Sequence, residues 1–228
     1  MLWMKAWLET RWRLLYVLGL PLAGLALRWT AGVHSAEDAR KLVAWLSFFA
    51  IFSPIYLAGA GIRTQSGLQA TKGIHGSMYY TLSMPVSRLR LLSIRTACGF
   101  LETAAVDAIV LSSAWLCIPA VRMLAAVDLL QLILAAIVCT ACFFFLSVLL
   151  ATFLTESWQI WGSLLVVALI WQAISHASIP ASANVFQFAA DASPLVTHTL
   201  PWPAMTISVA ASIILFLVSW RVVQVREY

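Results

Sequence analysis

The sequence predicts an all-α membrane protein of about six transmembrane helices, and three observations predict it. Apolar residues fill 62% of the 228 positions and charged residues only 10%, against roughly 45–50% and about 25% in soluble domains. A water-soluble chain of this length has no core large enough to hide that surface, whereas lipid accepts it. The apolar residues also gather in six runs, at about 14–29, 42–62, 94–121, 129–154, 158–179 and 204–223. Polar backbone in hydrocarbon must satisfy itself within its own segment, so each run reads as a helix. Finally, the basic residues are asymmetric. With six spans, one side carries Lys5, Arg11, Arg13, Arg63, Lys72, Arg88, Arg90, Arg95, Arg221 and Arg226, and the other only Arg28, Arg40, Lys41 and Arg122. The positive-inside rule then places both termini in the cytoplasm.

Taken in order, residues 2–13 read as an interfacial amphipathic helix. Lys5, Glu9 and Arg13 share one face at i, i+4 spacing, while Trp3, Met4, Trp7, Leu8 and Trp12 cover the rest. Arg11 falls among the apolar side chains and must snorkel. These charges and tryptophans differ from the simple basic stub of a cleavable signal, so the segment reads as retained. Pro21 and Pro54 lie inside the first two runs, where each removes a backbone donor and is expected to kink its helix. The small cluster Ala58-Gly59-Ala60-Gly61 lets another helix approach closely. The main cytoplasmic loop follows, at 63–93. From Arg63 to Arg95 it holds five basic residues and no acidic one. On the other side of the membrane, the stretch from Pro180 to Pro203 is too polar to span. It carries Val185, Phe186 and Phe188, apolar enough to dip into the outer leaflet.

The positive charge does not signal nucleic acid, because the basic residues are scattered among apolar runs rather than gathered into a patch. Within the third run, Glu102 and Asp107 are charged groups that must face protein or water, since a charge at the bilayer centre costs roughly 2.5–3.5 kcal/mol on insertion scales. Their spacing puts them about 140° apart on a helix, which argues against a paired-carboxylate catalytic site. Each reads as a hydrogen-bonding group at a helix or subunit interface, or as part of a substrate or proton path. Cys139 and Cys142 share a face of the fourth run without companion ligands, and read, with Cys98 and Cys117, as small buried thiols. His34, His75, His176 and His198 are dispersed and no metal site is expected.

The loop and the run after it read Gly73-Ile74-His75-Gly76-Ser77-Met78-Tyr79-Tyr80-Thr81-Leu82-Ser83-Met84-Pro85-Val86-Ser87-Arg88-Leu89-Arg90. This resembles the membrane subunits of type-2 ABC exporters, in which a Gly-Ser/Thr pair and an apolar stretch precede Leu-Ser-x-Pro-Val-Ser-Arg and a basic lead into the third span. Ser193-Pro194-Leu195-Val196-Thr197, ahead of the last span, is a fainter likeness. The resemblance implies that the loop docks a separate ATPase subunit through Tyr79, Tyr80, Leu82, Met84, Pro85, Ser87, Arg88 and Arg90. It also implies that two such chains, identical or not, pair to form the pathway in a bacterial inner membrane. Read from the residues alone, Pro85 ends one structured piece and Ser87 is suited to N-cap a helix running on through Arg88 and Arg90. The aromatic and apolar side chains of 79–84 form a knob that suits either a partner or the lipid headgroups.

No Gly-Lys dipeptide occurs, so the chain carries no phosphate-binding loop of its own. It is expected to be a transport subunit rather than an enzyme, with no cofactor, and with ATP bound by its partner. A proton-coupled secondary transporter, or an intramembrane enzyme using Glu102, Asp107 or His176, are the alternatives that need no ATPase.

Overall fold

The computed structural model describes residues 2–31, 35–58, 87–122, 125–154, 156–177, 179–186 and 193–225. Among them all regular structure is helical: α1 (Leu2–Ala31), α2 (Ala36–Ala58), α3 (Arg88–Cys117), the short α4 (Pro119–Arg122), α5 (Ala126–Phe153), α6 (Glu156–His176), a 3-10 turn (Ala181–Ala183), α7 (Ser193–Thr197) and α8 (Trp202–Val225). Five stretches are long and apolar enough to cross a membrane: Glu37–Ala58, Leu89–Cys117, Ala126–Phe153, Trp158–His176 and Trp202–Val225. The chain is a multi-pass, all-helical membrane protein.

Local chemistry sets the helix ends. Ser35 starts α2, its hydroxyl accepting from the Asp38 N–H at 3.0 Å. Ser87 does the same for α3, accepting from the Arg90 N–H at 3.3 Å. Helix α3 thus starts where the N-cap reading of Ser87 puts it and runs into the third apolar run, about 94–121, but it ends at Cys117. Pro119 is the reason, because the residue before a proline is pushed out of helical geometry, and Ile118 is extended with φ −107° and ψ 114°. Arg122 then turns back so that its guanidinium donates to the Leu116 carbonyl, Nε at 3.0 Å, satisfying one of the orphan acceptors at the end of α3.

The N-terminal region differs from the two pieces expected. An interfacial helix over 2–13 and a span from 14 form one unbroken helix, because the sequence across that join, Arg11 to Leu18, holds no glycine, proline or cap. Arg13, expected on the water face, turns into the bundle instead. Its Nη1 donates to the Tyr56 carbonyl at 3.3 Å, one of the last four acceptors of α2. Trp3, Trp7 and Trp12 remain exposed, and the Arg11 guanidinium lies 5.6 Å from the Trp12 ring centre. Both α1 and α2 continue through Pro21 and Pro54.

Helix α5 is the axis of the bundle and packs against α2, α3, α6, α7 and α8. Small side chains let α8 come close. Ala135, Ala136, Cys139 and Ala204 are fully buried, and the Ser208 hydroxyl donates to the Val138 carbonyl at 2.7 Å. Cys139 and Cys142 thus serve this packing as free thiols. In contrast, only 17% of the α6 span and 22% of the α8 span are buried, so these helices present most of their apolar surface outward, to lipid. Of the stretch expected to dip into lipid, Phe188 lies outside the described residues, and the described part packs on protein: Phe186 stacks on Phe143 and also meets Trp171, both with ring centres 5.0 Å away, and Val185 and Leu195 are buried. His198 closes α7 in the left-handed region at φ 53° and hydrogen-bonds Asp128 Oδ2 at 2.7 Å.

One end of the bundle matters most below, because the segment 59–86 leaves it after Ala58 and returns at Ser87. There Ala58, Leu92, Phe144, Val148, Ala151 and Val223 form one buried cluster that joins α2, α3, α5 and α8. Gly99 permits it: a Cβ there would lie 3.2 Å from Phe144 Cζ and 3.6 Å from the Leu57 carbonyl oxygen. Phe144 is fully buried, with the Phe100 and Phe145 rings at 5.6 and 5.4 Å, so it has no room to yield. Gly99→Val is therefore expected to cost about 1–3 kcal/mol by overpacking, read as a lower thermal unfolding midpoint in detergent. Gly19, with nothing within 4 Å of its absent Cβ, is the control, and Gly19→Val should leave the midpoint nearly unchanged. Equal losses in the two variants would refute this account of Gly99.

Candidate functional site

Helix α3 carries both candidate carboxylates, and Asp107 lies about 7.5 Å further along its axis than Glu102. Both are buried, with 3% of Asp107 and 8% of Glu102 exposed, and each hydrogen-bonds a neighbouring helix. Glu102 Oε1 accepts from the buried Thr10 hydroxyl of α1 at 2.5 Å. Asp107 Oδ1 accepts from the Ser53 hydroxyl of α2 at 2.9 Å. The second oxygen of each carboxylate, Glu102 Oε2 and Asp107 Oδ2, is buried and has no hydrogen-bond partner among the described residues.

The two sites differ in what lies beside them. Glu102 sits in the seam between α1 and α3. Asp107 borders a cavity of about 590 Å³ lined by residues of α1, α2, α3 and α6. Its walls are apolar and aromatic, with Trp45, Phe48, Phe49 and Phe52 on α2, and with Asp107 and Ser53 as a polar spot among them. Pro54 helps create that spot. It has no N–H for the Ala50 carbonyl one turn earlier, and the Ser53 hydroxyl lies 3.4 Å from that oxygen as well as facing Asp107. As the spacing predicts, the two carboxylates do not converge. Among the described residues, no group of three His, Cys, Asp or Glu side chains is placed to hold a metal ion.

Of the residues expected to dock a partner, Tyr79, Tyr80, Leu82, Met84 and Pro85 lie outside the described residues. Ser87 caps α3, Arg88 opens it, and Arg90 is exposed on its first turn. The α2 end that leads into this segment is held from two other helices. Besides Arg13 on the Tyr56 carbonyl, Gln159 of α6 donates through Nε2 to the Ile55 carbonyl at 3.1 Å. Ser53, Thr10, Arg13 and Gln159 escape a reading of the sequence. A serine beside an intramembrane proline is the single sequence cue among them, at Ser53.

These bonds are testable by a double-mutant cycle. Thr10→Val and Glu102→Leu should each destabilise the protein, because each leaves a buried polar group unmatched. Combined, they should cost less than the sum by a few tenths to about 1 kcal/mol, in thermal melts in detergent. Strict additivity would mean that the bond contributes nothing. Comparison with known proteins adds no identity to this geometry: no family model, curated protein or solved structure matches the chain.

Proposed function

We propose that this chain is the permease subunit of an ATP-driven exporter of the type-2 ABC kind, forming half of a translocation pathway in a bacterial inner membrane. The carrying observation is the stretch Leu82-Ser83-Met84-Pro85-Val86-Ser87-Arg88, which resembles the family's coupling loop and lies in a basic segment without acidic residues. In this reading α1 supplies the sixth span, its first turns lie at the interface, and both termini are cytoplasmic. A second permease subunit, identical or different, completes the pathway, and a separate ATPase subunit binds ATP.

The arrangement of the helices gives such a loop something to act on. Segment 59–86 is bordered by Ala58 and Ser87, and the buried cluster at this end links both flanking helices to α5 and α8. A displacement of the loop by an ATPase would thus reach α2 and α3 together. Closely packed helices shift between discrete arrangements rather than stretching, so the movement would pass to the cavity wall at Ser53 and Asp107. A second reading, proton-coupled secondary transport, is favoured by the buried Asp107 carboxyl, whose residue borders the cavity.

Two experiments test the reading. The chain should co-purify with an ATPase subunit encoded beside it, and replacing Tyr79, Tyr80 and Leu82 together with Asp should abolish that association; undiminished binding would reject the docking site. A single thiol introduced at Thr81, in a background lacking Cys98, Cys117, Cys139 and Cys142, should resist an impermeant reagent in intact cells. Labelling from outside would overturn the orientation and the loop's role with it. Uptake into vesicles by the chain alone under a pH gradient, without ATPase, would favour the second reading.

A further inference from the structure

We infer that the cavity lined by α1, α2, α3 and α6 holds an acyl chain of a bilayer lipid, drawn from the leaflet at the Ala58 end of α2 and running from Tyr56 to Trp45. The occupant is the membrane itself, so the inference does not rest on the transport reading.

Shape is the first argument. Along α2 the lining extends from Tyr56 to Trp45, about 16.5 Å at helical rise. Spread over that length, the volume of about 590 Å³ leaves a mean cross-section of about 36 Å². A helix with its side chains is about 10–12 Å across, which is at least about 80 Å². A helix of a second copy can therefore cover the mouth but cannot enter. A slot this long and narrow suits a polymethylene chain.

Depth and access select the leaflet. Tyr56 lies in the last turn of the α2 span, where its carbonyl accepts from the Arg13 guanidinium. A guanidinium favours the edge of the hydrocarbon, so this end of the cavity lies near the headgroups. Trp45 then sits deeper by about half of the roughly 30 Å hydrocarbon layer, close to the middle of the bilayer. The slot is one leaflet deep. It opens sideways, since Tyr16 and Leu20 on its α1 edge are 72% and 63% exposed, and Ile160 and Leu164 form the α6 edge. Helix α1 packs chiefly on α2 and α3, and α6 on α5 and α2. A chain lying between α1 and α6 completes packing that these two helices leave to lipid.

Chemistry sets other small occupants aside. The Ser53 hydroxyl is spent on Asp107 Oδ1, and Asp107 Oδ2 is buried. Apart from the hydroxyls of Tyr16 and Tyr56 and the indole N–H of Trp45, the remaining walls are hydrocarbon and aromatic ring. A water molecule wants two to four polar partners in one place, and a polar solute wants a match for each of its groups. A methylene chain wants none. It restores the dispersion contacts that an empty slot forfeits.

The test uses the full chain in discs of phosphatidylcholine, a small part of which carries a diazirine on one acyl chain, either at the methyl end or beside the ester. After irradiation, adducts are located by peptide mass spectrometry. Phe49 and Trp45 report the deep end of the cavity, Val17 and Tyr56 the headgroup end. Ile213 and Ile214, midway along α8 and exposed, report bulk lipid. The methyl-end probe should label Phe49 and Trp45, and the ester-side probe Val17 and Tyr56. Labelling of Ile213 and Ile214 with none in the cavity would show it covered, by a second copy or by its own walls, and would overturn the inference. The reverse order of the two probes would show a chain from the other leaflet and would overturn it too. Narrowing the slot with Val17→Phe and Leu164→Phe together should cut labelling of Phe49 at least about tenfold and leave Ile213 and Ile214 unchanged. Undiminished labelling of Phe49 would sink the assigned path. Should that variant fail to fold, the order of labelling in the wild type decides alone.

Discussion

A hydrogen-bonding group inside an apolar slab has no water to turn to, and that constraint sets how these helices lie against one another. Apolar surfaces alone would let the rods slide and rotate, since lipid competes equally for their contacts. The polar side chains remove that freedom. Thr10 fixes α1 against Glu102, Ser53 fixes α2 against Asp107, Gln159 ties α6 to the end of α2, and Ser208 ties α8 to α5. Each bond has one partner inside a run that otherwise has no reason to stop at a particular register. The contribution of any one bond is modest, about 1 kcal/mol or less in membrane bundles, so their value lies in choosing the arrangement rather than in strengthening it.

Seen this way, the parts of the molecule that were legible in the sequence are those governed by solvent preference. Long apolar runs announced the helices because hydrocarbon leaves no other option for the backbone, and Ser87 announced the start of α3 because an N-cap acts within one turn. The burial of Glu102 and Asp107 followed from the cost of showing a charge to lipid. Their partners did not follow. Thr10 lies 92 residues from Glu102 and Ser53 lies 54 residues from Asp107, and pairing at that distance depends on which helix neighbours which. The N-terminal helix illustrates the same gap. Its charges suggested a face toward water, yet the free carbonyls at the end of α2 were a better partner for Arg13. Pro119 carried a readable stop signal that hydrophobicity alone overrode, since the apolar run continues to Val121 although the helix ends at Cys117.

The two carboxylates show how one residue type does different work in neighbouring places. Glu102 meets a helix that closes over it, and its role is to hold α1 to α3. Asp107 instead meets Ser53, the residue before Pro54 of α2, at the border of a cavity.

Helices α1 and α3 each run for 30 residues, about 45 Å at helical rise, while the hydrocarbon layer is only about 30 Å thick. The span in α3, with α1 packed along it, must lean or jut beyond the slab. Leaning couples thickness to angle: a thinner bilayer demands more inclination, a thicker one less. The chamber between them would then change shape with the lipid in which the protein resides, making the surrounding membrane itself a participant in how readily the chamber opens.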